Sequence, residues 1–171
     1  MPDTITITGK IARKYMAHYI DTSFGGTTAA YYRIGEDLEE YTVDMNPDTE
    51  LRKNILGNTT FEHNGYEPSA SGDPFYARVG DALFTKLQEI VDKQANDDSC
   101  KTSIVEVHLW EAGTGTGSYV AYKQDCYVVP TSYGGDTSGY QIPFDVNYIG
   151  DRIKGSFVPA SGGGGAFTAD T

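Results

Sequence analysis

The residues of this chain that could do chemistry are few and scattered. Its three histidines are His18, His63 and His108. Alternation in Ser103–Trp110 predicts a strand whose polar face carries Glu106 and His108, with Trp110 beside them. A carboxylate and an imidazole on one face of a strand can chelate a metal ion. A surface histidine that binds nothing is the more common result of this pattern.

Nucleophilic, phosphate-binding and glycosidase chemistry each lack their sequence signature. There is no GxSxG motif and no Cys–His pair in a recognisable context. The glycines of Gly113–Gly117 resemble a phosphate-binding loop only in composition, since no lysine accompanies them and no helix pattern follows. Adjacent acids such as Glu39–Glu40 arise readily in a chain with 24 Asp and Glu residues and usually mark solvated turns. The sequence therefore predicts a protein that is not an enzyme and needs neither cofactor nor metal.

The composition indicates a strand-rich protein with an acidic surface. Of 171 residues, 39% are hydrophobic and 12% aromatic, with 13 tyrosines, a profile typical of strands and interaction surfaces. The net charge of −11 and the pI near 4.5 disfavour binding to nucleic-acid phosphates or anionic membranes.

Neither a membrane span nor a signal peptide is predicted. No apolar run approaches the roughly 20 residues that cross a bilayer, and the N-terminus lacks a basic start followed by an apolar stretch. We therefore expect the chain to fold in the cytoplasm where it is made. In that reducing compartment Cys100 and Cys126 are expected to be buried small side chains rather than a disulfide or zinc ligands.

Most predicted elements of the N-terminal half are strands. Thr4–Thr8 alternates strictly, and Ile11–Ile20 is an apolar segment expected to form a strand or an extended arm. Tyr31–Met45 predicts a hairpin with its turn at Gly35–Asp37. Residues 46–73 contain many turn signals and predict a long loop that leaves the core, with a helical turn and a short strand inside it.

One amphipathic helix is predicted over residues 81–95, with Asp81 as its N-cap. Three strand regions are predicted in the C-terminal half. Beside Ser103–Trp110, Gly117–Pro130 is long enough to bend or bulge. Gln141–Tyr148 places four apolar side chains on one face: Ile142, Phe144, Val146 and Tyr148. A tight turn at Gly150–Asp151 would then complete a hairpin over Ile142–Val158, and the glycine-rich residues 159–171 predict a flexible tail.

Together these elements predict a mainly β (α+β) fold. We expect an antiparallel β-sandwich or barrel of two sheets, flanked by one helix and carrying a long inserted loop, in a single domain over residues 1–158.

Three stretches resemble the major tail (tail-tube) proteins of long-tailed bacteriophages that infect Gram-positive bacteria: Tyr31–Gly57, Phe61–Asp92 and Lys101–Glu111. In order they contain a strand with an acidic turn, an Asn-Pro loop, GYEP, D-P-hydrophobic-Y, an amphipathic helix and a VEVH strand. They cover about the first two thirds of the chain, and none is a catalytic signature.

The resemblance implies a structural virion protein of the phage tail, assembled in the host cytoplasm. Copies would self-assemble into stacked rings, usually of six subunits, that form the conduit for DNA delivery. The implied partners are further copies, the tape-measure protein, and tail-tip and tail-terminator proteins, while DNA passes through without specific binding. The long loop would reach neighbouring subunits or rings. Here the candidate assembly residues in residues 46–73 are Asn46, Pro47, Asn54, Tyr66 and Glu67, and we expect the segment to be mobile until it docks.

An acidic tube wall would repel DNA phosphates. The acids expected to face such a lumen are Glu40, Asp44, Asp125 and Asp145; the alternative is that they face the outer solvent. Unpaired sheet edges are natural joints between subunits, and the edge candidates are Thr4–Thr8 and the predicted Ile142–Val158 hairpin.

Three other functions stay open. One is the inner tube of a contractile injection device, which shares the implied fold. Another is a carbohydrate- or receptor-binding module, suggested by the tyrosines and by Trp110 on a polar strand face. The third is an enzyme of unrecognised type, which would require clustered, perturbed titratable groups in a pocket.

Overall fold

The computed structural model describes residues 7–171, and within them the protein is mainly β, with 52% of residues in strands, one α-helix and antiparallel sheets. This confirms the predicted fold class. The strands are β1 (Met16–Asp21), β2 (Tyr31–Ile34), β3 (Val43–Asp44), β4 (Pro47–Lys53), β5 (Thr59–Tyr66), β6 (Ser69–Gly72), β7 (Lys101–Ala112), β8 (Tyr119–Pro130), β9 (Gly134–Asp136), β10 (Gly139–Gln141), β11 (Phe144–Pro159) and β12 (Gly165–Ala169). The helix α1 spans Ala82–Lys93, and short 3-10 helices cover Arg13–Tyr15 and Asp97–Cys100.

The main sheet has the order β2-β1-β7-β8-β11-β6-β3, with β12 paired to the far end of β11. Two small sheets, β4-β5 and β9-β10, lie apart from it. The segment Ile11–Ile20 is therefore not an arm, because its β1 portion lies between β2 and β7. The predicted strand Thr4–Thr8 lies largely outside the described residues. No helix within residues 7–171 is long and apolar enough to cross a membrane.

The predicted hairpin over Tyr31–Met45 is wrong. β2 pairs with β1, whereas β3 pairs with β6 at the opposite edge of the sheet. The connection between them is held by Arg78, whose guanidinium donates to both carboxylate oxygens of Asp37 at 2.9 and 3.1 Å. Pairing with distant strands overrides the local turn signal here.

The predicted hairpin over Ile142–Val158 is also wrong, because β11 is a single strand of 16 residues. Both of its halves pair with β8, and the register shifts between Ile149 and Ile153. Gly150, at φ +67°, allows this irregularity. The other side of β11 pairs with β6 and then with β12, so β11 is not a sheet edge.

The glycine-rich C-terminal segment is not a free tail. β12 pairs with β11 over five residues, and Phe167 lies opposite Phe157. A Cβ added to Gly165 would clash with the Phe157 ring and lie 2.7 Å from the backbone carbonyl oxygen of Val158, so the close packing of the two strands favours glycine here. The Arg33 amide donates to the Gly163 carbonyl at 2.8 Å, which ties the segment to β2 as well.

Buried side chains form two clusters. The larger contains Leu83 and Leu87 of α1, and the Asp81 side chain caps this helix by accepting from the amides of Leu83 and Phe84, as predicted. Of the predicted β11 face, Ile142, Phe144 and Val146 are fully buried in this cluster, with Tyr148 packed against it. The smaller cluster is Ala17, Tyr19, Val105, Val107, Ala121 and Phe157. Cys100 and Cys126 are buried free thiols, as expected.

Candidate assembly site

Residues 46–73 form strands rather than a long loop. β4 and β5 pair into a hairpin that is exposed along almost its whole length, and β6 then joins the main sheet. The helical turn predicted within this segment is wrong, since Pro47–Lys53 is extended. The hairpin projects because its strands pair only with each other among the described residues. Its mobility before docking stays a prediction.

The five predicted assembly residues occupy the two ends of this hairpin. At the base, Pro47 lies opposite Tyr66, and the Asn46 side chain donates to the Glu67 carbonyl at 3.0 Å. At the tip, the Asn54 carboxamide oxygen accepts from two backbone amides, at 3.0 Å each, and closes the turn. The structure thus brings Asn46, Pro47, Tyr66 and Glu67 together and places Asn54 at the far end.

The hairpin has one charged face. Glu50 lies opposite Glu62 in the register, and Arg52 pairs with Glu50 at 3.0 Å and approaches Glu62 at 3.7 Å. The charges of Arg52, Glu50 and Glu62 are therefore paired with one another on an exposed face.

The other face of the hairpin is apolar. Leu51 lies opposite Phe61, and the rings continue from Phe61 through His63 to Tyr66, with His63 and Tyr66 centroids 4.6 Å apart. Leu51 and Phe61 are 71% and 63% exposed, and at the tip Ile55 and Leu56 are 101% and 81% exposed. A lone two-stranded hairpin is marginal in water, and clustered exposed apolar side chains mark interaction sites. This face is therefore the strongest candidate contact surface of the molecule.

A groove of about 670 Å³ opens at the hairpin base. Its floor is a row of cross-strand neighbours, His18 on β1, Glu106 on β7 and Tyr122 on β8. Tyr41 and Tyr148 line it with their hydroxyls 2.7 Å apart. Its mouth includes Met45, Tyr66, Pro68, Asp151 and Arg152, so the apolar face of the hairpin continues into the groove through Tyr66.

Glu106 is the electrostatic centre of the groove. Its carboxylate hydrogen-bonds His108 Nε2 at 2.8 Å and accepts from Arg152 at 3.3 Å. Burial opposes its ionisation, but the facing His18 and His108 imidazoles and Arg152 outweigh burial and lower the pKa of Glu106 to about 2. His18 is only 4% exposed, and its Nε2 lacks a hydrogen-bond partner and lies 3.7 Å from Glu106. Burial lowers the pKa of His18, with Glu106 partly opposing the shift.

Glu106 and His108, the pair considered from sequence as metal ligands, are hydrogen-bonded to each other. No cluster of three or more His, Cys, Asp or Glu residues in the described part of the chain is arranged to hold a metal ion. Trp110 stacks on His108 with centroids 4.5 Å apart and an interplanar angle of 11°. One face of the indole is therefore covered, which reduces the surface it offers to a sugar ring.

Replacing Glu106 with glutamine is expected to destabilise the fold by about 1–3 kcal/mol at neutral pH. Because its pKa lies below that of an unfolded glutamate, Glu106 stabilises the native state fully above about pH 4.5 and loses this contribution as the pH falls towards 2. Urea unfolding across this range should show a shallower loss of stability in Glu106→Gln than in the unmodified protein. Glu62→Gln, on the exposed hairpin, is the control. It should change neither the free energy of unfolding at neutral pH nor its dependence on pH.

Three of the four predicted lumen acids share one face of the main sheet. Asp44, Asp125 and Asp145 are exposed and occupy positions that alternate with Val43, Cys126 and Val146, which contribute to the α1-side core. Glu40 is exposed in the connection before β3, outside the sheet. The acidic strip is thus Asp44, Asp125 and Asp145, without Glu40.

The comparisons with known proteins support the fold. No protein-family model matches the chain, and no curated protein matches it. Among solved structures, the chain is similar to a sheath/tube terminator of an extracellular contractile injection system, PVC, determined by cryo-EM in the extended state. The two share 13% sequence identity with a TM-score of 0.53, over 87% of this chain and 99% of that one. The protein therefore shares its fold with a component of a contractile injection system.

Proposed function

We propose that this protein is a non-enzymatic structural subunit of a phage tail or a related injection particle, whose copies assemble into rings of the tail tube. The observation that carries the proposal is the projecting hairpin, which exposes Leu51, Phe61 and the tip apolar residues in the isolated chain. The fold shared with a sheath/tube terminator supports this role. The partners proposed for the assembled particle are further copies, a tape-measure protein, and tail-tip and terminator proteins.

The acidic strip supports a lumen-facing sheet. Asp44, Asp125 and Asp145 place three carboxylates on one face of the sheet, which by the strand register also carries Lys101 and Lys123, and the chain as a whole carries a charge of −11. Repeated around a ring, this net negative charge would repel DNA phosphates and let DNA slide without binding. We propose this face as the wall of the conduit.

A second candidate function is a subunit at the end of the tube. The similar solved structure favours it, because that protein is a terminator and the similarity extends over almost its entire length. A terminator would form a single ring on which no further ring stacks, whereas a tube subunit forms rings that stack on one another. The two functions therefore predict different products from the same purified protein.

Electron microscopy of the purified protein over a concentration series, together with light scattering, tests both. Hollow tubes of uniform width are the expected result for a tube subunit, and single rings that do not stack would select the terminator. A monodisperse monomer at the highest concentration would overturn the ring proposal in either form.

A further inference from the structure

We infer that residues 35–42, which connect β2 to β3, form a strap that lies closed over the buried His18 imidazole and is released in mild acid. Three observations carry this inference: the burial of His18, the contacts of Tyr41 at the end of the strap, and the cations that face the imidazole. All of them lie within one copy, so the strap goes beyond the proposed function and does not depend on ring formation.

His18 is a buried group that can gain a charge. It is 4% exposed, and its Nε2 has no hydrogen-bond partner within residues 7–171. Glu106 Oε2 lies 3.7 Å from this atom, which is beyond hydrogen-bonding distance. The other oxygen of the same carboxylate already contacts His108 at 2.8 Å and Arg152 at 3.3 Å. A protonated His18 would therefore be a buried cation with no hydrogen bond at Nε2 and little contact with water, and this costs free energy.

The charges closest to His18 also act on its protonation. Arg13, before β1, and Arg152, on β11, disfavour a positive His18, whereas Glu106 on β7 favours one. Burial has the largest influence, and the pKa of His18 therefore lies below its ordinary value of 6.5. On its other side, β2 places the apolar Ile34 opposite His18.

The other titratable and charged groups near His18 do not compensate a charge on it. Phenols, which are uncharged at acidic pH, line the cavities on its two sides: Tyr32, Tyr41, Tyr66, Tyr122 and Tyr148. Asp151 lies exposed at the mouth of the groove. On the strap side, the second cavity is lined by exposed charges, which solvent screens: Lys14, Arg33, Glu36, Glu39 and Glu40.

Tyr41 closes the strap over His18. The two rings lie 4.8 Å apart between centroids, and Tyr41 is 6% exposed. Its carbonyl accepts from the Arg13 guanidinium at 2.8 Å, and its hydroxyl hydrogen-bonds that of Tyr148 at 2.7 Å. The residues on either side, Glu40 and Thr42, are exposed. Tyr41 is therefore the point at which this end of the strap is held, and Arg13, which holds it, is a cation that a charged His18 would repel.

Acid favours the open strap. In the closed form the pKa of His18 is lowered by burial, whereas in an open form water reaches the imidazole and this effect is lost. Below pH 6.5 the open form therefore binds more protons, and its population rises by up to about tenfold per pH unit until the closed form also takes the proton. Tyr41 can leave without unpairing the main sheet, because residues 39–42 belong to no strand.

Limited proteolysis with a glutamate-specific protease tests the release. Cleavage after Glu39 or Glu40, measured relative to cleavage after Glu62 on the hairpin, is expected to rise about three- to tenfold between pH 7.5 and pH 5. This range ends above the pH at which Glu106, with a pKa of about 2, takes a proton. His18→Gln should abolish the rise, whereas the matched variant His63→Gln, on the exposed hairpin, should keep it. A constant ratio in the unmodified protein, or the same rise in His18→Gln, would overturn the inference.

Nuclear magnetic resonance of the histidine rings provides a second test that keeps His18 in place. In the unmodified protein the His18 signal, identified by its absence in His18→Gln or by assignment, is expected to titrate below pH 6.5. Tyr41→Ala removes the ring that covers His18 and should move this titration up towards pH 6.5. Tyr66→Ala removes a ring from the mouth of the same groove and should leave the titration where it is. A His18 titration that is the same in Tyr41→Ala and in the unmodified protein would show that the strap does not control this imidazole.

Discussion

Replacing Leu51 and Phe61 together with aspartate is expected to abolish assembly while leaving the monomer folded. Both side chains are largely exposed in the isolated chain, so their loss should change the free energy of unfolding by less than about 1 kcal/mol. In an interface, each would contribute about 1.5–3 kcal/mol through burial, and a buried unpaired carboxylate would add a further cost. Because every subunit of a ring makes the contact, the loss repeats around the ring.

Light scattering and electron microscopy at a concentration where the unmodified protein assembles would measure this effect, with circular dichroism to verify the fold. Thr60→Asp is the matched control for Phe61→Asp. It places the same charge at the neighbouring position of β5, on the face that carries Arg52. Normal assembly of the Leu51/Phe61 double variant would show that the apolar face of the hairpin is not a subunit contact.

Local signals were sufficient for the parts of the fold that depend on neighbours in sequence. The helical spacing of Leu83 and Leu87 and the cap at Asp81 predicted α1, because a helix is stabilised within its own segment. Alternation from Ile142 to Val146 predicted the buried face of β11. For β7 it predicted one buried face, whereas Ile104 and Val105, on opposite faces, are both fully buried.

Pairing between distant strands could not be predicted in the same way. Gly150–Asp151 fits a hairpin turn and also an irregularity within one strand, and the local sequence is the same in both cases. The outcome depends on whether the following residues stay paired with β8, as they do here. β2 and β3 likewise lie at opposite edges of the sheet, because β2 pairs with β1 and β3 pairs with β6 rather than with each other.

The candidate site likewise contains residues that could be found from the sequence and residues that meet only through long-range strand pairing. The resemblance pointed to the residues at the hairpin base and tip, but not to the strands that make one face apolar. The groove was missed entirely, because His18, Glu106 and Arg152 come from β1, β7 and β11 and meet only after the sheet forms. The sequence contained two signals for this groove: His18 within the apolar segment that forms β1, and the alternation that places Glu106 and His108 on one face of β7.

Truncation after Pro159 is expected to lower the free energy of unfolding by about 3–5 kcal/mol. A free tail, as predicted from its glycines, would change it by less than about 0.5 kcal/mol. The difference arises because β12 supplies five paired residues to β11 and places Phe167 opposite Phe157, which is fully buried. Without β12, the Phe157 ring and the outer hydrogen-bonding groups of β11 would meet solvent.

Urea unfolding of the truncated and full-length chains measures this loss, and two point variants locate its origin. Phe167→Ala should reproduce a large part of it, because this ring packs against the smaller core cluster. Thr168→Ala, one residue away and exposed, should have almost no effect. If the truncated chain unfolded at the same urea concentration as the full-length protein, the pairing of β12 with β11 would contribute nothing to stability. The exposed edge of β11 would then be available for pairing between subunits. The expected loss of stability instead means that this edge is already paired within the chain, so the projecting hairpin stays the element that we propose joins one copy to the next.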